Sequence, residues 1–373
     1  MKDPWSEKIR LYLVNKMLTA ICGLTLDEWL KLLQKHRFAV DPPYLPRAAL
    51  MTATSLINSA ITVYENGVYR SKVEDVEIQP PLFILGHQRS GTSHLQNLLS
   101  IDKQFASPNV YQVLNPHTFL STERFSKSVN FIAPKTRIVD NMAFGFKVPF
   151  EDEFSTVGSL HSPLLWMVFP TAENHYNRYL TFRGVPEEEI EQWRAALVLF
   201  LKKLTWKYRR PLILKSPHHT CRIKILLEMF PEAKFVHIHR NPYRVFQSSK
   251  RQIQGVLRAT CLQHPDTNSL DTMIIKRYKL IYDAFFEERT LIPEGHFHEI
   301  AYEELEKDPI GQVSQIYEKL DLPGFGAVQQ PLQDYVDSIK NYRKNDYPEV
   351  PHPLRNEIAQ SWRRSFETWG YCS

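Results

Sequence analysis

The sequence predicts an α/β fold with a central parallel sheet flanked by helices, preceded by an N-terminal helical segment. Three observations lead there. From residue 81 onward, short runs that are apolar on both faces alternate with helix-length amphipathic runs, as strands buried between two helical layers require. The first of these runs leads straight into a glycine loop and a helix, "PLFILGHQRSGTSHLQNLL". The chain has 373 residues, 43% of them hydrophobic, enough to bury a sizeable core in one large domain or two smaller ones. We divide it into a helical extension over 1–75, packed on the main domain, and a main domain over 76–373.

In chain order, "SEKIRLYLVNKMLTAICG" carries apolar residues at helical spacing and stops at Gly23. "TLDEWLKLLQKHRF" then opens at Thr25, with Glu28 three residues on, the signature of a capping box. A break at "DPPYLP" separates a third helix. Two readings stand for this segment: a helical cap on the main domain, or interfacial helices whose Trp5, Trp29 and basic residues rest on a membrane surface. The run 48–63 is short and carries Thr52, Thr54, Ser55, Asn58, Ser59 and Thr62, too polar to span a bilayer. The opening "MKDPWSEKIR" puts charges where a signal peptide needs an apolar core. Cys22, Cys221, Cys261 and Cys372 are scattered without metal spacing. The expectation is a cytoplasmic protein with reduced thiols and no metal, touching membrane at most at its periphery.

Expected strands are "LFIL" (82–85), "PLILK" (211–215), "KFVHIH" (234–239) and "FHEIAY" (297–302), with helices at "TSHLQNLLS", "TCRIKILLEMF" and "DTMIIKRYKLIYDAFFEERT". Loops at the carboxyl ends of such strands place a ligand crevice beside 86–92, 215–219 and 240–248. The formal charge of +5 suits a small polyanionic ligand. No basic stripe or nucleic-acid motif appears, so no nucleic-acid partner is expected.

"GHQRSGTS" has the parts of a phosphate cradle: a strand, Gly86 and Gly91 for sharp turns, hydroxyls at Ser90, Thr92 and Ser93, and a helix whose positive dipole end faces the anion. Thr92 stands where G-x-x-x-x-G-K-[ST] has the lysine that reaches β- and γ-phosphates, which argues against triphosphate hydrolysis. Arg89 supplies a cation instead. The plain alternative is an ordinary glycine turn. Further along, "KFVHIHRNPYRVFQSSKR" delivers Arg240 at a strand end, a turn at Asn241 and Pro242, and Ser248 on the next helix, a clamp for a second phosphate. Two phosphate sites on one sheet imply a nucleotide phosphorylated at two places.

With these residues the sequence resembles the sulfotransferases that use 3′-phosphoadenosine 5′-phosphosulfate, from about residue 25 to the end, and its loop has the bacterial-type form G-x-x-R-S-G-T. The resemblance implies the P-loop-like α/β sulfotransferase fold. It implies a 5′-phosphosulfate loop of Arg89, Ser90, Gly91, Thr92 and Ser93, with which His87 is counted. The 3′-phosphate element R-[ND]-P-x-x-V-x-x-S is matched by Arg240, Asn241, Pro242, Val245 and Ser248. A K-[ST]-P element is matched by Lys215, Ser216 and Pro217, and a Y-E-[DE]-L element by Tyr302 to Leu305, whose tyrosine is expected near the adenine. Sulfotransferases of phenols and steroids usually carry lysine where Arg89 stands, tryptophan where His94 stands, a histidine where Pro217 stands, and a C-terminal R-K-G-x-x-G-x-x-K segment. The tail "AQSWRRSFETWGYC" lacks the last of these, so the site must close over the nucleotide differently.

Sulfuryl transfer needs an acceptor oxygen in line with the breaking S–O bond and positive charge on the sulfonate. The expectation places Arg89 at the bridging oxygen and Lys215 at the sulfonate, with no metal. For the general base, Glu151, Asp152 and Glu153 of "PFEDEFS" are crowded enough for like-charge repulsion to raise one pKa. The plain alternative is a solvated acidic turn or a helix cap. His94 is the second candidate base, its plain reading being a packing residue. His218 and His219 are read as a helix cap in preference to a nucleotide contact. Segments 105–182 and 252–270 are expected to wall the acceptor pocket, and the apolar "SPLLWMVFP" and "FIAPKTRIVDNMAFGF" favour a lipophilic alcohol, sterol-like or glycolipid acceptor over a glycosaminoglycan. Two other functions compete: a small-molecule kinase, and a non-catalytic nucleotide-binding protein with a degenerate loop.

Overall fold

The computed structural model describes residues 23–126, 145–340 and 347–373. The helix expected from residue 6, Trp5, Cys22 and most of "FIAPKTRIVDNMAFGF" lie outside the described residues. Helix α1 (Leu26–Lys35) begins as expected: Thr25 Oγ1 accepts from the Glu28 amide at 3.4 Å, and Glu28 Oε2 accepts from the Thr25 amide at 2.8 Å. Its Trp29 and Leu32 are wholly buried and join one hydrophobic cluster with Phe83 and Phe235 of the sheet.

Helix α2 (Leu45–Glu74) runs for 30 residues after the proline break. Two buried charges fasten it. The Arg47 guanidinium donates to the carbonyls of Cys261 at 2.6 Å and Arg258 at 3.0 Å, and Glu65 accepts from Lys203 Nζ at 2.8 Å. Between Arg47 and Glu65 the sequence has no charged residue, and Leu56, Ile57, Val63 and Tyr64 stand exposed along the helix. Among the described residues no helix is long and apolar enough to cross a membrane.

The sheet has strands β1 (Leu82–Leu85), β2 (Ile213–Lys215), β3 (Lys234–His239) and β4 (Phe297–Ala301), in the order β2-β1-β3-β4 with every pair parallel. Strands β1 and β3 fall where the sequence put them. β2 is shorter because Ala106 bridges to Leu212 before the ladder begins, and β4 stops one residue early because Tyr302 opens a short helix. Period two sorts the side chains of β1: Phe83 and Leu85 enter the cluster with Trp29, while Leu82 and Ile84 enter a second cluster with Leu95, Val236 and Ile300.

Strands β1 to β3 each feed a turn and a helix: α3 (Thr92–Leu99) follows β1, α4 (Glu187–Tyr208) leads into β2, a 3-10 turn at Pro217–Cys221 and α5 (Ile223–Met229) follow β2, and α6 (Pro242–Thr260) follows β3. Helix α7 (Leu270–Glu288), helix α8 (Phe325–Ser338), and the tail helices α9 (His352–Ser361) and α10 (Arg363–Trp369) complete the packing. The order 2-1-3-4 makes the loops after β1 and β3 diverge, which opens a crevice at their carboxyl ends. "SPLLWMVFP" does not wall that crevice. Leu165, Val168 and Phe169 are wholly buried in the main core, and residues 252–260 continue α6 with Ile253 and Leu257 facing inward.

Candidate active site

The loop after β1 is built on two glycines in the left-handed half of backbone space, Gly86 at φ 142° and Gly91 at φ 107°. The Gly86 amide donates to Thr220 Oγ1 at 2.7 Å, tying this loop to the segment that follows β2. Ser90 spends its hydroxyl inside the loop, donating to the His87 carbonyl at 2.8 Å while its amide donates to the same oxygen at 3.1 Å. A methyl group on Gly91 would lie 2.4 Å from the Tyr302 ring, so this tyrosine rests directly on the loop.

His87 departs from its expected place on the ligand side. It is buried beneath the loop, its amide donating to Tyr282 Oη at 3.2 Å and its ring packed on Tyr278 and Tyr282. Burial pushes its pKa down to about 4, so it sits there neutral.

The second half-site joins the first through Arg89. The Arg89 backbone is itself left-handed, at φ 71°, and its Nε donates to Ser248 Oγ at 2.8 Å on α6. Arg240 Nη1 donates back to the Arg89 carbonyl at 3.3 Å, and its guanidinium lies 4.1 Å from the centre of the Tyr302 ring. Asn241 caps α6 by accepting from the amides of Tyr243 and Arg244, with Pro242 at the first helical position. The side chain of Arg89 is thus turned to the second half-site, and Lys215 is the cation that meets the other end of the loop.

Lys215 is 1% exposed, and its Nζ donates to Glu151 Oε1 at 2.9 Å and to Ser93 Oγ at 3.4 Å. The three acidic neighbours therefore do not repel one another, because each has its own cation or donor. Asp152 is fully buried: it accepts from the Lys215 amide at 2.9 Å and meets His219 Nε2 at 2.5 Å. Burial would raise its pKa, but His219 and these hydrogen bonds hold it below the usual carboxylate value. Glu153 is equally buried and takes Arg222 Nη1 at 2.6 Å and Ser162 Oγ at 2.8 Å. Neither Asp152 nor Glu153 is presented as a base, which corrects the expectation for both; of the three, Glu151 alone pairs with Lys215 Nζ, which also reaches Ser93 of the loop. Residue spacing carried no signal for the Asp152–His219 or Gly86–Thr220 contacts. The cap expected of His218 and His219 is made instead by Ser216, whose hydroxyl accepts from the His218 amide at 3.3 Å, while His219 reaches Asp152.

A cleft of about 1030 Å³ opens over the loop, lined among others by Arg89, Thr92, Ser93, His94, Arg240 and Tyr302. Its lining also includes apolar Val148, Pro149, Tyr335, Val336 and Ile339, and the charged Lys147, Glu306, Lys307 and Lys340. His94 is half-buried, and burial lowers its pKa against the opposing pull of Glu306, leaving a neutral imidazole at pH 7. Among the described residues no cluster of His, Cys, Asp and Glu is arranged to hold a metal ion. Chemically, the arrangement offers backbone and cationic capture of anionic groups at two linked positions, beside a carboxylate and a neutral imidazole.

The sequence profile of the sulfotransferase family matches residues 80–326, the stretch that runs from β1 past β4 and includes the whole loop. This chain belongs to the sulfotransferase family. The sulfotransferase is 36% identical over 351 residues to omega-hydroxy-beta-dihydromenaquinone-9 sulfotransferase Stf3 of Mycobacterium bovis, a match covering 94% of this chain and 90% of that one. The protein of the same name from Mycobacterium tuberculosis matches to the same extent. Sulfotransferase STF9 from Mycobacterium avium superposes with a TM-score of 0.70 at 17% identity, covering 93% of this chain and 96% of its own. Sulfotransferase STF1 from Mycobacterium tuberculosis gives 0.64 at 16% identity, covering 95% and 97%. The fold is the P-loop-like sulfotransferase fold.

Proposed function

We propose that this sulfotransferase moves the sulfuryl group of 3′-phosphoadenosine 5′-phosphosulfate to a hydroxyl of a lipophilic acceptor. The observation that carries the reading is the Arg89 bridge: one residue contributes backbone to the loop and side chain to Ser248, beside Arg240, so two anions on one nucleotide find linked sites. The residues fit that donor. Loop amides and the start of α3 take the phosphosulfate, Arg240 and Ser248 take the 3′-phosphate, and Tyr302 gives the adenine a ring to lie against.

Lys215 and Ser93 lie at the sulfonate end. As the acceptor oxygen bonds to sulfur, the S–O bond to the 5′-phosphate breaks, and 3′,5′-adenosine bisphosphate leaves with the electron pair. Positive charge from Lys215 and the loop offsets the charge on the sulfonate and the departing phosphate. The acceptor proton goes to Glu151, which Lys215 holds at this end of the loop. His94 is the competing base. Replacement of Glu151 by Gln should lower turnover by roughly a hundredfold or more, and His94→Gln by less than tenfold. The reverse ranking transfers the role to His94.

The curated relatives act on a menaquinone-derived lipid, as their name states. The apolar residues in the cleft lining, Val148, Pro149, Tyr335, Val336 and Ile339, suit a chain of that kind. A lipid acceptor is delivered from a bilayer, and we assign the exposed apolar row of α2 to peripheral contact with the membrane surface. The test of the donor is thermal stabilisation by 3′,5′-adenosine bisphosphate compared with ADP and ATP, since a ligand bound only by the folded state raises the melting temperature. The bisphosphate is expected to give the larger rise. Stabilisation by ATP alone points to a kinase and sinks the assignment.

A further inference from the structure

We propose that Tyr347 is a ligand-binding residue of the donor pocket, its phenol hydroxyl donating to the same phosphate that Arg240 and Ser248 hold. This rests on the donor reading above. Tyr347 stands 99 positions from Ser248, on a segment for which the sequence alone predicts no role.

The segment from Tyr347 to Pro351 is strapped over the start of α6. Arg244 Nη1 donates to the Tyr347 carbonyl at 3.4 Å, and Gln247 Nε2 donates to the carbonyl of Pro348. Two residues three apart on one helix, on the turn that leads into Ser248, thus grip two successive carbonyls of the strap. Val350 is buried in the main core, which fixes the far end. Held in this way, Tyr347 Oη lies 3.1 Å from Ser248 Oγ.

Ser248 Oγ is therefore the meeting point of Arg89 Nε at 2.8 Å and Tyr347 Oη at 3.1 Å. A hydroxyl has one proton and two lone pairs, so Ser248 can accept from Arg89 and still donate to a phosphate oxygen. A phosphate at that distance from Ser248 is within reach of the Tyr347 hydroxyl as well. The phenol adds a neutral donor to a charged acceptor without bringing a further charge that must be stripped of water.

The test uses the full-length chain and its Tyr347→Phe variant, which keeps the ring and removes the hydroxyl. Dissociation constants are measured by calorimetry for 3′,5′-adenosine bisphosphate and for 5′-AMP, which lacks the 3′-phosphate. A melting curve without ligand checks that the strap still packs. The expected result is a Kd for the bisphosphate raised about tenfold in the variant, the scale of a hydrogen bond to a charged group, with the Kd for 5′-AMP unchanged. Equal affinity of wild type and variant for the bisphosphate overturns the role of Tyr347 and leaves the donor reading standing. An equal loss for both nucleotides also overturns it, because the hydroxyl would then serve a part of the ligand they share. Failure of the wild-type chain to bind the bisphosphate overturns the donor reading, and this proposal with it.

Discussion

At Gly91 two demands fall on one atom: the backbone is left-handed, and the space a methyl group would occupy is filled by the Tyr302 ring. Left-handed backbone costs a residue with a Cβ about 1–2 kcal/mol, and the ring contact adds to that. Gly91→Ala should therefore weaken binding of 3′,5′-adenosine bisphosphate by at least roughly tenfold, read by calorimetry. An unchanged Kd would show that loop and ring can move apart freely. Residues of this kind were legible in the sequence because phosphate capture demands particular residue types at short spacing, as with Arg89, Gly91 and the Arg240–Ser248 element. The acidic triplet was not. Crowding along the chain says nothing of partners brought from elsewhere, and His219 and Arg222 arrive to neutralise Asp152 and Glu153. His87 was misplaced for a related reason: its neighbours in sequence form the cradle, but its own side chain points back into the core.

Elements follow the same division. β1 was legible because burial on both faces leaves it apolar at every position, β3 because Phe235, Val236 and Ile238 give it a buried apolar run, and α1 because Thr25 and Glu28 close its first turn. "SPLLWMVFP" was misread because an apolar run has the same composition whether it lines a cleft or fills a core. Helix α2 carries the prediction at this scale. If its uncharged row rests on lipid, replacing Leu56, Ile57 and Val63 together by serine removes three apolar side chains from the contact. Each buried side chain of this size is worth about 1.5–3 kcal/mol, so retention on phosphatidylglycerol vesicles should fall by at least roughly a hundredfold. These side chains are exposed in the fold, so stability should hardly change. Flotation of the variant at wild-type level, or a wild-type chain that stays off the vesicles, removes the membrane role from this helix.

For the whole molecule, the strand order β2-β1-β3-β4 was not legible, since no pattern within a strand states which neighbour it takes. The assembled core also sets a pH response. Burial holds His87 near a pKa of about 4, and burial together with His237 does the same for His239, against an ordinary value near 6.5. Folded-state values lying below unfolded ones mean that the unfolded chain binds more protons between these limits. Stability is thus fully present above about pH 6.5 and declines as the pH falls toward about 4, by up to about 1.4 kcal/mol per pH unit for each group. Chemical denaturation at pH 7, 6 and 5 measures this, and His87→Phe should flatten the decline if the ring remains packed on Tyr278 and Tyr282. An equal slope in the variant would place the titrating groups elsewhere.

The all-parallel sheet has a further consequence for the birth of the protein. β1 ends at Leu85, while its two partners begin at Ile213 and Lys234, so no hairpin can shelter it early. At roughly 5–20 residues per second of synthesis, the strand that carries the glycine loop waits on the order of ten seconds for an edge to pair with. A nascent chain with four apolar residues in a row and no partner is a natural client for chaperones, and the phosphate cradle takes shape only after most of the polypeptide has left the ribosome.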